Sequence, residues 1–359
     1  MLVTRSLWQG RRVLITGHTG FKGGWLALWL HQLGAEVTGF ALPPPTSPSL
    51  FEQARLADLV THIEGDIRDP AALERALDTA RPELVFHLAA QSLVRASYAD
   101  PAATWATNVM GTVHLLDACR RAGSLRAMVC ATSDKCYDNR EDGRPHRETD
   151  PMGGHDPYSS SKGAAELAID SFRRSYFAQG PLLASVRAGN VIGGGDWAED
   201  RLIPDIVRAM LSGEKPLIRA PHSVRPWQHV LDALSGYLLV GERLIDGDAT
   251  AATAWNFGPA EEDSRPVGSV VEEMLHLWGA AGWDTPDAPQ PHEAALLKLD
   301  SGKARSQLGW RPRMRLDEAL ASLVEWHKAV AGGADARQTS LLQLQDYEVA
   351  DTVGQQQWA

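Results

Sequence analysis

An α/β fold, a doubly wound parallel sheet with a smaller α/β C-terminal lobe, follows from three observations on the sequence. Short apolar runs alternate with helix-length amphipathic segments from residue 12 to about residue 190, which is how parallel strands and their crossover helices read. The first run, "RVLIT", leads directly into "GHTGFKGG" and then "WLALWLHQLGA": a strand, a glycine-rich turn and a helix closed by Gly34. Beyond about residue 190 the alternation loosens, and that change of pattern marks off the second lobe.

The elements follow in order. After the first helix comes the strand "EVTGFAL", the "PPPTSP" break, a helical segment at about 50–59 and a short strand in "THIEGDIRD". A helix at 70–80, the strand "ELVFHLAA", a long helix at about 102–122 and the strand "RAMVCATS" continue the alternation. "DPYSSSKGAAELAIDSFRRSYF" reads as a long helix and "LLASVRAGNVIG" as a sixth strand. "GGGDW" and "RAPHSVRPWQHV" read as loops around a helix at 203–212. A helix in "WQHVLDALSGYLLVGERLI", a strand at "AWNFGP" and helices at 266–280 and 316–330 complete the pattern. Residues 1–187 with about 228–258 are assigned to the sheet domain, and about 188–227 with 259–335 to the lobe. Residues 336–359, Gln-rich near the end, are expected to form a surface-wrapping or frayed tail.

Composition narrows the function classes. The 359 residues are 44% hydrophobic and 22% charged, as in an ordinary globular protein. A net charge of -10 argues against nucleic acid, which selects basic faces, so an anionic ligand needs local cations. Cys119, Cys130 and Cys136 are too few and wrongly spaced for a zinc cluster and read as free thiols of a reducing compartment. The twelve His residues show no metal spacing, and no metal is expected. The start runs from polar residues into a short strand, and no run approaches the roughly 20 apolar residues a bilayer requires. Neither a signal peptide nor a membrane partner is therefore expected, and the cytoplasm is the default location.

Gly17, Gly20 and Gly23 stand three apart at the mouth of the first helix. Glycines there let backbone N–H groups approach a pyrophosphate at the positive end of the helix, so the loop is read as a dinucleotide site of Rossmann type. The second strand ends in "GFALPPP", with neither an acid for a ribose hydroxyl nor an Arg for a 2'-phosphate, and leaves NAD against NADP open. Asp66 can accept from an adenine amino group and Ile67 can pack on the ring. Tyr158 and Lys162, four apart in "YSSSK", share one helical face. A tyrosine that acts as a base must have its pKa of about 10 lowered, and a neighbouring ammonium together with a nicotinamide cation would do so. In "TSDK", Thr132, Ser133, Asp134 and Lys135 follow a strand whose carboxyl end would face a ligand.

These motifs, with "HLAAQ", "NVMGT", "RAGNVIGGGDWAEDRLIPD" and "RPWQHVL", resemble the extended short-chain dehydrogenase/reductases, and among them the nucleotide-sugar 4,6-dehydratases that act on CDP-glucose. The similarity covers about residues 8–330. It implies bound NAD held by Gly17, His18, Gly20, Phe21, Lys22 and Gly23, by Asp66 and Ile67, by Leu88, Ala89, Ala90 and Gln91, and by Tyr158 and Lys162. It implies oxidation at carbon 4 with Tyr158 as base, loss of water across carbons 5 and 6, and hydride return to carbon 6. Ser133 or Thr132 would donate to the carbon 4 oxygen, Asp134 would be the acid, and Lys135, which must be neutral, the base. Asn190, Arg201, Leu202, Arg219, Arg225 and His292 are the implied substrate residues, with Trp227 and His229 as braces. The resemblance also implies a homodimer through the helices at about 102–122 and 158–178, and a place in deoxysugar synthesis. A 4-epimerase, another nucleotide-sugar dehydratase or a non-catalytic dinucleotide sensor are the competing readings. The epimerase has no use for Asp134 and Lys135, and the sensor predicts a damaged Tyr or Lys.

Overall fold

The computed structural model describes residues 3–140, 142–286 and 297–354. Its strands, in chain order, are β1 (Arg12–Thr16), β2 (Glu36–Ala41), β3 (Thr61–Glu64), β4 (Leu84–His87), β5 (Ala127–Ala131), β6 (Leu182–Ala188), β7 (Asn190–Ile192), β8 (Val224–His229), β9 (Ala254–Phe257) and β10 (Ser264–Pro266). Seven form one sheet in the order β3, β2, β1, β4, β5, β6, β9, and every pairing in it is parallel. The strands read as continuous apolar runs because helices cover both faces. Along β1, Val13 and Ile15 enter one core with Trp8, Trp25, Trp29 and Phe86, while Leu14 enters the other with Phe40, Leu115 and Met128. That alternation is the two-residue period of a strand buried on both sides.

Register places the chemistry. Thr16 pairs with His87, His87 with Cys130, and Ala131 with Val186, so β1 and β4 end level, with β5 and β6 running slightly further along the same edge. Strand order reverses between β1 and β4, where open sheets take ligands beyond the carboxyl ends of their strands. The 17–20, 88–93 and 132–137 loops therefore start from one edge.

Four segments depart from the sequence reading. The helix expected at about 102–122 is a series: Val94–Ala99, Pro101–Trp105, a π turn at Ala106–Met110, and Gly111–Cys119. Pro101 cannot donate to the preceding turn, and the Asp100 carboxylate caps the new start by accepting from Ala103 N. The expected sixth strand is two strands, since the chain leaves the large sheet at Gly189 and β7 joins β8 and β10 in a second, three-stranded sheet. "RAPHSVRPWQHV", read as a loop, contains β8. The expected tail is the helix Ala336–Gly354. Leu344 and Tyr347 are buried, the Tyr347 hydroxyl donates to Asp232 at 2.7 Å, and Trp29 Nε1 donates to Glu348 at 2.8 Å. Its few apolar anchors are diluted among Gln and Asp, so the docking face has almost no sequence signal.

Candidate active site

The carboxyl edge of the sheet opens into a cavity of about 1770 Å³. Gly17, Gly20 and Gly23 line one part of it. Gly17 has φ +82° and a Cβ there would sit 2.6 Å from Ala89 N, while a Cβ on Gly23 would sit 2.1 Å from Gly17 O. The turn and the helix Phe21–Gln32 thus touch backbone to backbone, and the helix presents the free N–H groups of its first turn beside the cavity. This cradle, which side chains would fill, fits the pyrophosphate of a dinucleotide. Ile67, Leu88, Ala89 and Ala90 continue the wall. Asp66 also lines it, with its carboxylate bonded by Arg68 Nε at 2.8 Å and Nη2 at 2.5 Å.

Two residues expected at the cofactor have other work. The His18 ring lies under Gly39, where a Cβ would meet it at 2.3 Å, and its Nε2 is 2.7 Å from His62 Nδ1. Burial, and then His62, lowers His18 to about 4, so it is neutral. Gln91 closes its own loop: Nε2 donates to Thr104 Oγ1 at 2.9 Å and to Leu93 O at 3.1 Å, while Oε1 accepts from Leu93 N. Motif position alone could not separate residues that brace a loop from residues that face its ligand.

The "TSDK" run begins where β5 stops. Thr132 turns inward and its hydroxyl donates to buried Glu166, whereas Ser133 stands beside the Tyr158 phenol and acts to lower it. The place next to Tyr158 therefore falls to Ser133. Ser133 also accepts from Lys135 N at 3.2 Å and donates to Asp134 at 2.9 Å, capping the single turn Asp134–Cys136. Asp134 is buried, and a Cβ on Gly189 would come within 2.8 Å of its Oδ2, so glycine at 189 makes room for the carboxyl. Burial drives Asp134 up against the pull of Lys135 and the Ser133 bond, which favours the protonated acid. Lys135 is half-buried and lines the cavity.

Tyr158 and Lys162 lie on one face of the helix Pro157–Ser175. Burial pushes the phenol up to about 12, with Ser133 acting the other way. The Lys162 ammonium lies over the ring, 6.0 Å from its centroid. Lys162 itself is lowered to about 8 by burial, and the cation that presses on it is Lys22. Lys22 is lowered to about 8 by burial and then Arg201, with Asp134 and Asp196 raising it.

The groups behind these residues are not among the candidate site residues, although His87, Asn108 and Arg187 open the motifs "HLAAQ", "NVMGT" and "RAGNVIGGGDW". His87 bridges Thr16 at 2.7 Å and Thr112 at 3.0 Å, and burial with Lys162 nearby lowers it to about 3. Asn108, in the π turn, donates to Ser161 Oγ and Gln91 O, both at 2.9 Å, and such turns cluster at functional sites. Glu166, one turn past Lys162, accepts from Arg187 Nε at 2.9 Å and Nη2 at 2.7 Å and from Ser185 at 2.8 Å. Arg187 also donates to Tyr137, whose hydroxyl donates to Asn256 at 2.7 Å. The pair therefore holds Thr132 on one side of Asp134–Lys135 and Tyr137 on the other. Arg187→Met is expected to cost about 3–5 kcal/mol of stability by leaving a buried carboxylate unpaired. Denaturant unfolding checks this, and a loss under 1 kcal/mol would show that the pair is dispensable.

On the other lobe, Asn190 opens β7, and Asn190, Arg201, Leu202, Arg219 and Arg225 all line the cavity. Trp227 is buried and donates to Arg265 O at 3.3 Å, and His229 caps the helix Val230–Ile245 by accepting from Leu231 N. Both therefore brace β8. His292 lies outside the described residues.

A family model described as GDP-mannose 4,6 dehydratase matches residues 14–323. The chain belongs to that family. It is 53% identical to the CDP-glucose 4,6-dehydratase of Salmonella typhimurium, over 98% of this chain and 100% of that one. It is 29% identical to the UDP-glucose 4-epimerase of Mycolicibacterium smegmatis, over 88% of this chain and 98% of that one. Among solved structures, the dTDP-glucose 4,6-dehydratase of Streptomyces venezuelae, solved with NAD bound, superposes with a TM-score of 0.77 at 25% identity, covering 91% of this chain and 99% of that one.

Proposed function

We propose that the chain is an NAD-dependent CDP-glucose 4,6-dehydratase, which converts CDP-D-glucose to CDP-4-dehydro-6-deoxy-D-glucose and water. The observation that carries this reading is the Asp134–Lys135 pair set beside Ser133 and Tyr158 in one cavity. Redox chemistry alone uses Ser133, Tyr158 and Lys162; loss of water needs a further proton donor and acceptor. The Salmonella relative supports the cytidine nucleotide, and the NAD-bound Streptomyces enzyme supports NAD, since the end of β2 offers neither an acid nor an Arg.

The glycine turn and the helix start at Phe21 would hold the pyrophosphate, Ile67 and Asp66 the adenine, and the Leu88–Ala90 wall the rest. NAD, when bound, accepts hydride from carbon 4 and returns it at carbon 6. Tyr158 removes the proton of the carbon 4 hydroxyl while Ser133 holds that oxygen, and Lys162 lies behind the phenol ring. With a ketone at carbon 4 the carbon 5 proton becomes acidic; Lys135 takes it, and gives it back to carbon 5 when hydride adds at carbon 6. Asp134, whose protonated form burial favours, gives its proton to the departing carbon 6 hydroxyl. Asn190, Arg201, Arg219 and Arg225 supply the donors that a diphosphate requires in an acidic protein.

Exposed Tyr98, Trp105, Met110 and Leu167 on the helices after β4 and on Pro157–Ser175 support a homodimer through these elements. No helix among the described residues is long and apolar enough to cross a membrane. A cytoplasmic place in deoxysugar synthesis, such as that for lipopolysaccharide O-antigen, is part of this proposal. Incubating the protein with NAD and CDP-glucose should convert the sugar nucleotide to a species lighter by one water in mass spectrometry. CDP-glucose left intact beside turnover of dTDP-, UDP- or GDP-sugars would overturn the cytidine assignment.

A further inference from the structure

Two guanidiniums from distant parts of the chain meet on one carboxylate at the cavity wall. Arg95, in the short helix Val94–Ala99, and Arg219, between the helix Leu202–Ser212 and β8, both bond Oδ1 of Asp200, at 3.2 Å and 2.9 Å. All three residues line the cavity. Neighbouring Arg201 is engaged separately, with Asp196 at 3.3 Å and Ser92 at 2.9 Å. Asp205 also approaches Arg219, at 3.9 Å, but its carboxylate is bonded by Arg208.

Folding does not account for this arrangement. Asp200 has a left-handed backbone, φ +59°, which costs free energy in any residue with a Cβ. Its side chain and that of Arg95 are 39% and 42% exposed, and ion pairs so open to water add little stability. A strained residue with little to gain locally belongs with function rather than with packing. Two guanidiniums converging on one oxygen suit a phosphate group, and the substrate proposed above carries two.

The geometry points to Asp200 as an internal stand-in for the substrate's diphosphate. Its carboxylate keeps Arg95 and Arg219 converged, and the incoming diphosphate displaces it and takes over both guanidiniums. This rests on the nucleotide-sugar reading. Substrate and product carry the same diphosphate, so the returning carboxylate also helps product to leave. A latch closed nine-tenths of the time weakens apparent affinity about tenfold.

The test uses the full chain and two variants. Asp200→Asn tolerates the left-handed backbone but brings no charge to the guanidiniums; Asp200→Gly also relieves the strain. Calorimetry with CDP and with inorganic pyrophosphate should show both ligands binding on the order of tenfold more tightly to each variant, and KM for the nucleotide sugar should fall without a rise in kcat. Wild-type binding of both ligands with no tightening in either variant overturns the latch alone, and weaker binding makes Asp200 a positioning residue for the arginines. A wild-type protein that binds neither ligand sinks the nucleotide-sugar reading along with it.

Discussion

Tyr158→Phe should reduce CDP-glucose turnover by about 10²–10⁴-fold, the range for loss of a positioned acid–base group, with the circular dichroism spectrum unchanged. The substitution removes one hydroxyl from a buried site and leaves Ser133 its bonds to Asp134 and Lys135. The stability cost is therefore that of one hydrogen bond, about 1 kcal/mol. The sign of the pH dependence follows from burial. The phenol of the chain alone is pushed up to about 12, so its ionised form, the base, gains population only as pH rises. The rate of carbon 4 oxidation should climb with pH, and Tyr158→Phe should remove that rise. A variant within tenfold of wild type, or one that keeps the slope, would show that the proton leaves by another route.

Lys135→Met should separate the two halves of the reaction. Oxidation at carbon 4 uses Tyr158, Ser133 and Lys162 and survives; removal of the carbon 5 proton loses its base, and dehydration falls by about 10²–10⁴-fold. A 4-keto sugar nucleotide that has kept its carbon 6 oxygen should then be trapped by borodeuteride. Asp134→Asn should give the same trapped sugar by removing the acid. Burial raises Asp134, so its proton is held at pH values where an exposed carboxyl has lost it, and elimination should fade as pH climbs past the raised pKa. If Lys135→Met dehydrates at the wild-type rate, the base is elsewhere, and Lys22 is the next candidate, since it lines the same cavity and interacts with Asp134.

Local pattern carried far in this protein where the relevant physics is local. A glycine turn between strand and helix, and a Tyr and a Lys one helical turn apart, concern residues a few positions from one another, and they sit where spacing placed them. Position within a motif was less informative about direction. His18 and Gln91 stand in the right loops, yet their side chains face His62 and Thr104, because a loop that cradles a ligand must itself be braced from behind. Thr132 and Ser133 are alike in sequence; Thr132 bonds Glu166, while Ser133 caps the turn that carries Asp134 and Lys135.

The sequence by itself determined the parallel sheet, the glycine turn before the first long helix and the place of the "TSDK" run after β5, since strand period, helix period and glycine geometry are properties of neighbouring residues. Only the tertiary structure decided that Glu166 and Arg187 clamp that run, that Lys22 presses on Lys162, that Arg95 and Arg219 share Asp200, and that residues 336–354 dock as a helix on Trp29 and Asp232. Each of these joins groups far apart in the chain. The burial and electrostatic fields that tune them exist only once the sheet has brought its strand ends to one edge.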